Sequence, residues 1–266
     1  MGNQPLPEAP MYDLSSELVV SAHGSTRLVE LNRPEQLNST SESLHTALAE
    51  VWDRVAADHD ARAVVLTGRG RAFSAGGNFE VMTRVQRDPA FRHQNVVEAR
   101  RIMTGMVRCP VPVIAAVNGP AVGLGCSLAL LSDLILIAEG AYLADPHLQV
   151  GLVPGDGGPL ILPLIIGPAK AKEMLFLGQR VGAEDAVRLG LANTVVPRDK
   201  LLDEAFDLVD RLAKLPVQAL RDTKRAVNLH LEQAMANVME VALTAERESM
   251  HSPEHIAIVE KIIADR

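Results

Sequence analysis

The sequence predicts an α/β fold in which alternating strands and helices are followed by a helical C-terminal region. Two nearly continuous apolar runs, ARAVVLTG at 61–68 and PVPVIAAVNGP at 110–120, are typical of parallel strands that are buried on both faces. Segments with helical spacing of apolar residues lie between such runs. After Pro159 the pattern becomes mostly helical. These three observations favour an α/β core with a C-terminal helical extension.

The predicted elements of the first half follow from local patterns. Alternating apolar residues in ELVVSAHGSTRLVELN, at 17–32, predict two short strands. Helical spacing from Leu44 to Val55 predicts a helix that Thr40 or Ser41 caps. In chain order we expect two strands around a turn at 23–25, a helix over 40–59, strands at 61–68 and 110–120 with a helix over 92–107 between them, a helix over 124–131, and the strands LILIAE and AYLA.

The second half is expected to be helical. The predicted helices span residues 168–177, 183–189, 200–213, 217–229, 231–249 and 253–264. We expect a flexible, proline-rich arm over 1–16, a core over 17–198 and a helical region over 199–266. With no internal repeat and no low-complexity linker, one folding unit is favoured.

Composition limits the classes of function. Of 266 residues, 47% are hydrophobic and 22% charged, which suits a sizeable core, and 3% aromatic content makes that core aliphatic. A net charge of −7 argues against nucleic-acid binding and against an anionic membrane surface. An anionic ligand therefore needs a local basic pocket. Asp133 within the most apolar segment argues for a buried element rather than a membrane span.

The expected compartment is the cytoplasm. Two cysteines, Cys109 and Cys126, are too few for a disulfide framework and lie in apolar segments, which suits a reducing environment. The first residues lack a basic region followed by an apolar run, so no signal peptide is expected.

Two glycine-rich turns are the first functional candidates. FSAGGNFE, at 73–80, follows one buried strand, and GPAVGLGCS, at 119–127, follows another and opens a helix. Glycines permit close backbone approach, and a helix N-terminus offers unpaired N–H groups. If the turns converge, two N–H groups point at one oxygen and form an oxyanion hole for a developing enolate or tetrahedral centre. Each turn alone is equally consistent with a simple tight turn.

Four segments of the chain are informative together: LNRPEQLNS, AVVLTGRGRAFSAGGNFE, PVIAAVNGPAVGLGCSLALLSDLILIAEGAYLADPHLQVGLVPGDGG and GAEDAVRLGLANTVVP. In their order and spacing they resemble the crotonase (enoyl-CoA hydratase/isomerase) superfamily over nearly the whole chain. The resemblance implies a crotonase-like ββα spiral with a C-terminal helical trimerisation region, assembled as a homotrimer or a dimer of trimers. It also implies a coenzyme A thioester as substrate, with no tightly bound cofactor.

The resemblance also implies roles for individual residues. The oxyanion N–H groups belong to Gly77 and Leu124, although the family usually has glycine at the second position. Because a backbone N–H acts there, leucine need not abolish the site, but its side chain crowds the acyl pocket. For the coenzyme, the resemblance implies that Arg33 contacts the phosphates, the alternative being a solvated turn arginine. It also implies that Ala75 and Gly76 line the adenine and pantetheine track. Lys261 either contacts a phosphate bound to a neighbouring subunit or is simply an exposed lysine.

The sequence departs from the hydratase pattern at both catalytic glutamates. Ser127 stands at the first position and His147 at the second. The hydratases use one group to activate water and one to protonate the α-carbon. Histidine, with an ordinary pKa near 6.5, suits proton transfer at neutral pH, whereas serine is a poor base and more a small space-filler. The alternative is that His147 is a buried structural histidine.

Asp156 follows His147 in a turn where superfamily members often carry a small residue. In the dehalogenases of the superfamily an aspartate in this turn attacks the substrate, and in its carbon–carbon hydrolases a histidine and an aspartate of this stretch act together. Asp156 is therefore either a catalytic partner of His147 or a cap on a helix that begins at Pro159. Glu246 and Glu248 are further candidates that the sequence cannot separate from surface glutamates.

Three functions remain open. The first is an enoyl-CoA hydratase/isomerase-like lyase of fatty acid metabolism with His147 as the acid–base group, and a single base suits double-bond migration better than hydration. The second is a hydrolase of a β-dicarbonyl or thioester that uses a His147–Asp156 pair. The third is a non-catalytic acyl-CoA-binding member. No metal site is expected, since Ser252-Pro253 separates His251 from His255, which lie four residues apart.

Overall fold

The computed structural model describes residues 11–265, and its strands form two sheets. The larger sheet has the order β1-β2-β3-β4-β6-β9, in which only β1 and β2 pair antiparallel. The smaller sheet has the order β5-β7-β8. The strands are β1 Leu18–His23, β2 Thr26–Leu31, β3 Ala63–Gly68, β4 Val113–Val117, β5 Ala121–Val122, β6 Leu134–Ala138, β7 Tyr142–Ala144, β8 Val181–Gly182 and β9 Thr194–Val196.

Ten α-helices lie within residues 11–265, and the last four form the C-terminal region. A π-helical turn at Met235–Met239 joins α8 to α9. The helices are α1 Glu42–Ala57, α2 Phe79–Arg87, α3 Pro89–Arg108, α4 Leu124–Leu130, α5 Gly158–Leu177, α6 Ala183–Leu189, α7 Leu201–Ala213, α8 Val217–Ala234, α9 Glu240–Ser249 and α10 Pro253–Ala264.

The core forms around the parallel strands β3 and β4, whose residues are all buried. Continuous apolar runs leave no polar face on these strands, so both faces of the sheet must be covered. Helix α7 covers part of the sheet, and α1 packs against α3. The largest fully buried side chains are mainly aliphatic, with Trp52 and Phe73 as aromatic exceptions. The predicted α/β core, followed by helices, is confirmed.

The first helix illustrates why local patterns predicted this half well. Ser41 caps α1 by accepting a hydrogen bond from the Leu44 N–H at 3.1 Å, one of the two caps that the sequence offered. Leu44, Leu48 and Val51 lie on its buried face. The predicted hairpin of β1 and β2 and the strands β3, β4, β6 and β7 are confirmed.

Two differences concern the region after β3. Helix α2 was not predicted, although Phe79, Met82 and Val85 recur at helical spacing; it spans only nine residues, and Val85 is the one that is buried. Its cap is Asn78, which accepts from the Val81 N–H at 2.9 Å. The next helix was predicted to begin at residue 92 but begins at Pro89, because Asp88 caps it and proline suits a first helical position.

Three differences concern the second half, which was predicted to be mostly helical. Strands β8 and β9 are present, but two and three residues are too few to show a periodic pattern. Gly167, at φ +75°, interrupts helix α5 just before Pro168, so the second segment of α5 matches the predicted helix 168–177, whereas the first segment, from Gly158, was not predicted. The predicted break near residue 230 is absent, because the π-helical turn carries the helical path from α8 into α9.

The predicted N-terminal arm lies outside the described residues as far as residue 10. Of the remainder, the Met11 N–H donates to the Val20 carbonyl at 3.1 Å, and the Tyr12 hydroxyl donates to Asp58 at 2.8 Å. None of the helices in residues 11–265 combines the length and hydropathy that a membrane span requires.

Candidate active site

The two glycine-rich turns lie side by side. Ser74 pairs with Ala121 in a parallel bridge, and the Val122 N–H donates to the Ser74 carbonyl at 2.9 Å. Gly76, at φ +82°, approaches the other turn so closely that a Cβ there would lie 2.8 Å from the Val122 carbonyl oxygen. A side chain at this position would push the turns apart. The chain therefore needs glycine where the turns meet.

Gly77 and Leu124 consequently line one cavity of about 90 Å³, together with His147, Asp156 and Glu246. Leu124 is the first residue of α4, so its N–H has no acceptor within the helix. Gly77 immediately precedes Asn78, the cap of α2. The arrangement brings two backbone segments with oxyanion-hole potential to the same space as the titratable side chains.

His147 lies between two carboxyl groups. It opens a short 3₁₀ turn, His147–Val150, that follows β7. Its Nδ1–H donates to Asp145 Oδ1 at 2.5 Å, and its Nε2 lies 3.5 Å from Asp156 Oδ2. Asp145 was not identified from the sequence, although its place two residues before His147 was a readable signal. The three residues form a chain that orients the ring and offers a route for protons.

Asp156 reaches this chain from the loop before α5. Its Oδ1 accepts a hydrogen bond from the Ser127 hydroxyl at 3.2 Å. The alternative role as a helix cap is wrong: Gly157 is the N-cap of α5 and no side chain caps it. Ser127, on α4, thus supports a carboxylate that another element supplies.

Glu246 joins the cluster from α9. It is buried and lines the cavity, and a Cβ on Gly155 would lie 2.4 Å from its Oε2, so α9 packs tightly on the loop that carries Asp156. Glu248 instead is exposed and pairs with Arg247 at 3.2 Å. The structure thus separates two glutamates that the sequence could not.

The protonation of the cluster follows from burial and mutual charge. Burial would lower the pKa of His147, but the carboxylates of Asp156 and Asp145 raise it to about 10. Burial, followed by the nearby Asp156, raises the pKa of Glu246 to about 8. Burial also raises the pKa of Asp156. At neutral pH the cluster therefore contains the His147 imidazolium and a Glu246 carboxyl group that is still largely protonated.

A second histidine–carboxylate pair, not identified from the sequence, lies beside the same cavity, and its histidine is part of the lining. His45 on α1 donates from Nδ1 to Glu98 Oε2 on α3 at 2.7 Å. The pKa of Glu98 is lowered: burial raises it, but hydrogen bonds from His45 and its neighbours outweigh that effect. Thr46 and Gln94 complete this carboxylate's contacts, at 2.9 and 3.0 Å. The readable signal was a polar residue on the buried face of each helix.

The predicted coenzyme-binding residues lie outside the lining of this cavity. Arg33 contacts Glu17 through Nε at 3.0 Å, and its guanidinium donates to the Ser39 carbonyl at 2.5 Å. The Ala75 N–H donates to the Leu37 carbonyl at 2.9 Å, and Gly76 is buried at the meeting of the turns. Lys261 is exposed on α10.

Asp145, His147 and Asp156 also form a group whose ligand atoms lie within 4.8 Å of one another, as metal ligands can. The two carboxylates, however, face opposite nitrogens of one imidazole ring. A single cation cannot bind both carboxylates and the ring in that arrangement. The group fits a hydrogen-bonded chain better than a coordination shell.

Comparisons of sequence and structure identify homologues of this chain. The sequence profile described as enoyl-CoA hydratase/isomerase matches residues 22–261. A crystal structure of an enoyl-CoA hydratase/isomerase from Mycobacterium paratuberculosis is 49% identical, with a TM-score of 0.92 over 94% of this chain and 100% of that chain.

Two curated proteins are also similar. A putative enoyl-CoA hydratase from Thermus thermophilus is 38% identical over 76% of this chain and 79% of its own. The 1,2-epoxyphenylacetyl-CoA isomerase of Escherichia coli is 36% identical over 82% of each chain. Together with the solved structure, these similarities show that the α/β core and its C-terminal helices have the crotonase-like fold that the resemblance implied.

Proposed function

Because this chain belongs to the enoyl-CoA hydratase/isomerase family, whose members process acyl-CoA thioesters, we propose that it isomerises a double bond by moving a proton along the acyl chain. The observation that carries this proposal is the placement of His147 between Asp145 and Asp156, with Glu246 in the same cavity. The site thus holds a cationic proton donor beside carboxyl groups that can act as a base.

The proposed reaction begins at the thioester carbonyl. The N–H groups of Gly77 and Leu124 bind its oxygen and stabilise the enolate that forms when a proton leaves the carbon chain. Whichever of Asp156 and Glu246 is ionised accepts that proton. The His147 imidazolium gives a proton to a different carbon, and the double bond shifts. The carboxyl group then returns its proton to Nε2 of His147, which lies 3.5 Å from Asp156 Oδ2, so no net proton is gained or lost.

The protonation of His147 fixes its part in the proposed reaction. An imidazole with a pKa of about 10 is a proton donor at neutral pH, so the base of either isomerisation or hydration must be a carboxyl group. We propose isomerisation because it needs only proton transfers between these groups and no positioned water. Ser127 cannot replace that base, since its hydroxyl donates to Asp156 and serves to hold it.

The test is turnover of a β,γ-unsaturated acyl-CoA, followed by the ultraviolet absorbance of the conjugated product. His147→Gln and Asp156→Asn should each lower kcat by about 10²- to 10⁴-fold, the usual contribution of a positioned acid or base. Glu248→Gln, which alters the exposed neighbour of Glu246, is the matched control and should retain full activity. Absence of isomerisation by the wild-type protein would refute the proposal.

A second candidate, hydrolysis of a β-dicarbonyl or thioester, is supported by the Asp145–His147 hydrogen bond of 2.5 Å. A carboxylate that orients an imidazole in this way can prepare it to activate water when the ring is neutral. Release of a free carboxylic acid or of free coenzyme A distinguishes hydrolysis from isomerisation. Binding of acyl-CoA without any turnover would instead favour a non-catalytic binding protein.

We further propose the coenzyme contacts and assembly that the family relationship implies. Arg33, Ala75 and Gly76 bind the coenzyme A portion of the substrate, with no tightly bound cofactor, and the chain assembles as a homotrimer or a dimer of trimers. The assembly is supported by α8, in which no residue is buried within the single chain. The unpaired, buried cysteines Cys109 and Cys126 are compatible with the cytoplasm as its compartment.

A further inference from the structure

The cavity has an apolar side that the proton-transfer chemistry does not use. Its lining there comes from helices α2 and α3, from the loop after the 3₁₀ turn and from the residue after α9. Such a surface is suited to an acyl chain. The residues are Val81, Met82, Val85, Ala99, Leu152 and Met250.

His45 interrupts this apolar lining. Its Nδ1 is fixed by Glu98, and Glu98 is held in turn by Thr46 and Gln94. Among the described residues, none forms a hydrogen bond with its Nε2. The protein nevertheless does not enclose this atom completely. The imidazole is 6% exposed and lines the cavity. Its second nitrogen is therefore a polar group offered to whatever occupies the cavity.

An unbranched hydrocarbon chain would be a poor occupant beside such a group. Displacing water from Nε2 without replacing its hydrogen bond costs free energy, whereas a ligand oxygen restores the bond. A hydroxyl satisfies an imidazole nitrogen in either protonation state, since it can donate and accept. Asn95, half-buried in the same lining, adds a side-chain amide that can also form a hydrogen bond with such an oxygen.

We propose that His45 is a specificity-determining residue and that the acyl group of the substrate carries a hydroxyl, which Nε2 of His45 binds. This inference rests on the proposed acyl-CoA function and narrows its substrate class to hydroxyacyl thioesters. The pair of His45 and Glu98 binds the chain, while the cluster around His147 moves protons.

The experiment compares binding by calorimetry of saturated acyl-CoA thioesters with that of the same chains bearing a hydroxyl at the fourth, fifth or sixth carbon. Lacking a double bond, these ligands cannot isomerise. At least one hydroxylated chain should bind the wild-type protein about tenfold tighter than its parent, the value of one net hydrogen bond.

Two variants separate ligand recognition from a structural role. Asparagine can place an amide where Nδ1 lies, so His45→Asn keeps a donor to Glu98 but lacks the atom facing the cavity. Glutamine can reach the position of Nε2. His45→Asn should bind both ligand series equally while its Tm stays close to that of the wild type, and His45→Gln should retain part of the preference.

Each other outcome overturns the inference. Equal binding of both series by the wild-type protein would leave the acyl-CoA function standing and remove the role of His45. A preference that persists in His45→Asn would assign recognition to another residue. If no acyl-CoA binds, the proposed function fails, and the inference fails with it.

Discussion

At His147, two neighbouring carboxylates raise the pKa of the ring, whereas burial lowers it. The carboxylates prevail, and the pKa of about 10 keeps the ring cationic over the neutral range. In the proposed reaction, the imidazolium therefore donates protons and a carboxylate accepts them. Without both carboxylates, burial would favour the neutral, basic form of the ring.

These roles predict the pH dependence of isomerisation. With Glu246 as the base, the reaction needs its ionised carboxylate and a protonated His147, so kcat/KM should rise as Glu246 ionises near pH 8 and fall as His147 loses its proton near pH 10. A rate that is already constant from pH 6 to 8 would instead make Asp156 the base. The measurement is the initial rate from pH 6 to 11. His147→Gln should lose the alkaline limb from its residual activity. A wild-type rate that falls steadily above pH 6 would contradict this assignment.

Glu246 predicts a second effect, on stability. Its folded pKa of about 8 exceeds the ordinary value of 4.5, so its contribution to stability is fully present below pH 4.5 and is lost as pH rises through about 8. Glu246→Gln removes this loss. The variant should therefore gain stability relative to the wild type between pH 5 and pH 9, as measured by urea unfolding at both values. Glu248→Gln, on the exposed side of α9, should show no such gain.

Single residues differ in how far the sequence identifies them. His147 and Asp156 were identified because they depart from the pattern of similar proteins at known positions. Glu246 could not be separated from Glu248, because the two are neighbours on one helix and their burial depends on how α9 docks. His45 and Asp145 were missed, because their importance comes from the partners that folding brings to them.

At the level of elements, helix α4 holds Leu124, the proposed second oxyanion donor, against the first turn. Gly125 makes this possible, since a Cβ there would lie 2.7 Å from Ser74 Cβ and 2.9 Å from its carbonyl oxygen. The position of the N-terminus of α4 is therefore set by backbone contact rather than by a side chain that could adjust.

Gly125→Ala should consequently displace α4 from the turn. We expect a loss of about 1–3 kcal/mol in the free energy of unfolding, typical of overpacking, and a loss of activity that exceeds the change in substrate affinity. Denaturant unfolding and steady-state kinetics measure the two effects. Ser132→Ala, just beyond the C-terminal end of α4, adds no atoms and should retain the activity. Full activity in Gly125→Ala would argue against an oxyanion role for Leu124.

Elements could be predicted where burial leaves a repeating pattern. Strands β3 and β4 and helix α1 are long and apolar enough to be predicted from the sequence. Helix α2 has little buried surface, and β8 and β9 are too short for a period, so tertiary contacts decide their conformation.

For the whole molecule, the C-terminal helices leave several apolar side chains exposed. Val227 is 61% exposed, Leu229 is 50% exposed and Val241, on α9, is 70% exposed. Several exposed aliphatic side chains on adjoining helices mark an interaction surface more often than isolated ones do. The proposed assembly of three or more chains supplies an occupant for this surface.

Light scattering coupled to size exclusion should therefore give the mass of a trimer or hexamer. Val227→Glu should shift the distribution towards the monomer at low protein concentration, because a charge at an apolar contact is costly to bury. Val227→Ala, which removes methyl groups without adding charge, should retain most of the assembly. A wild-type protein that stays monomeric at every concentration would contradict this prediction.

The packing of α9 against the cluster of Asp156, His147 and Glu246 also affects the local unfolding of the protein. Each transient detachment of α9 returns Glu246 to water, where its ionisation carries no desolvation cost, so rising pH favours the open form. Amide hydrogens of α9 should then exchange ahead of those in β3 and β4, by an amount that grows above pH 8 beyond the intrinsic acceleration. Helix α9 is therefore expected to be the first part of the active-site region to unfold in alkaline solution.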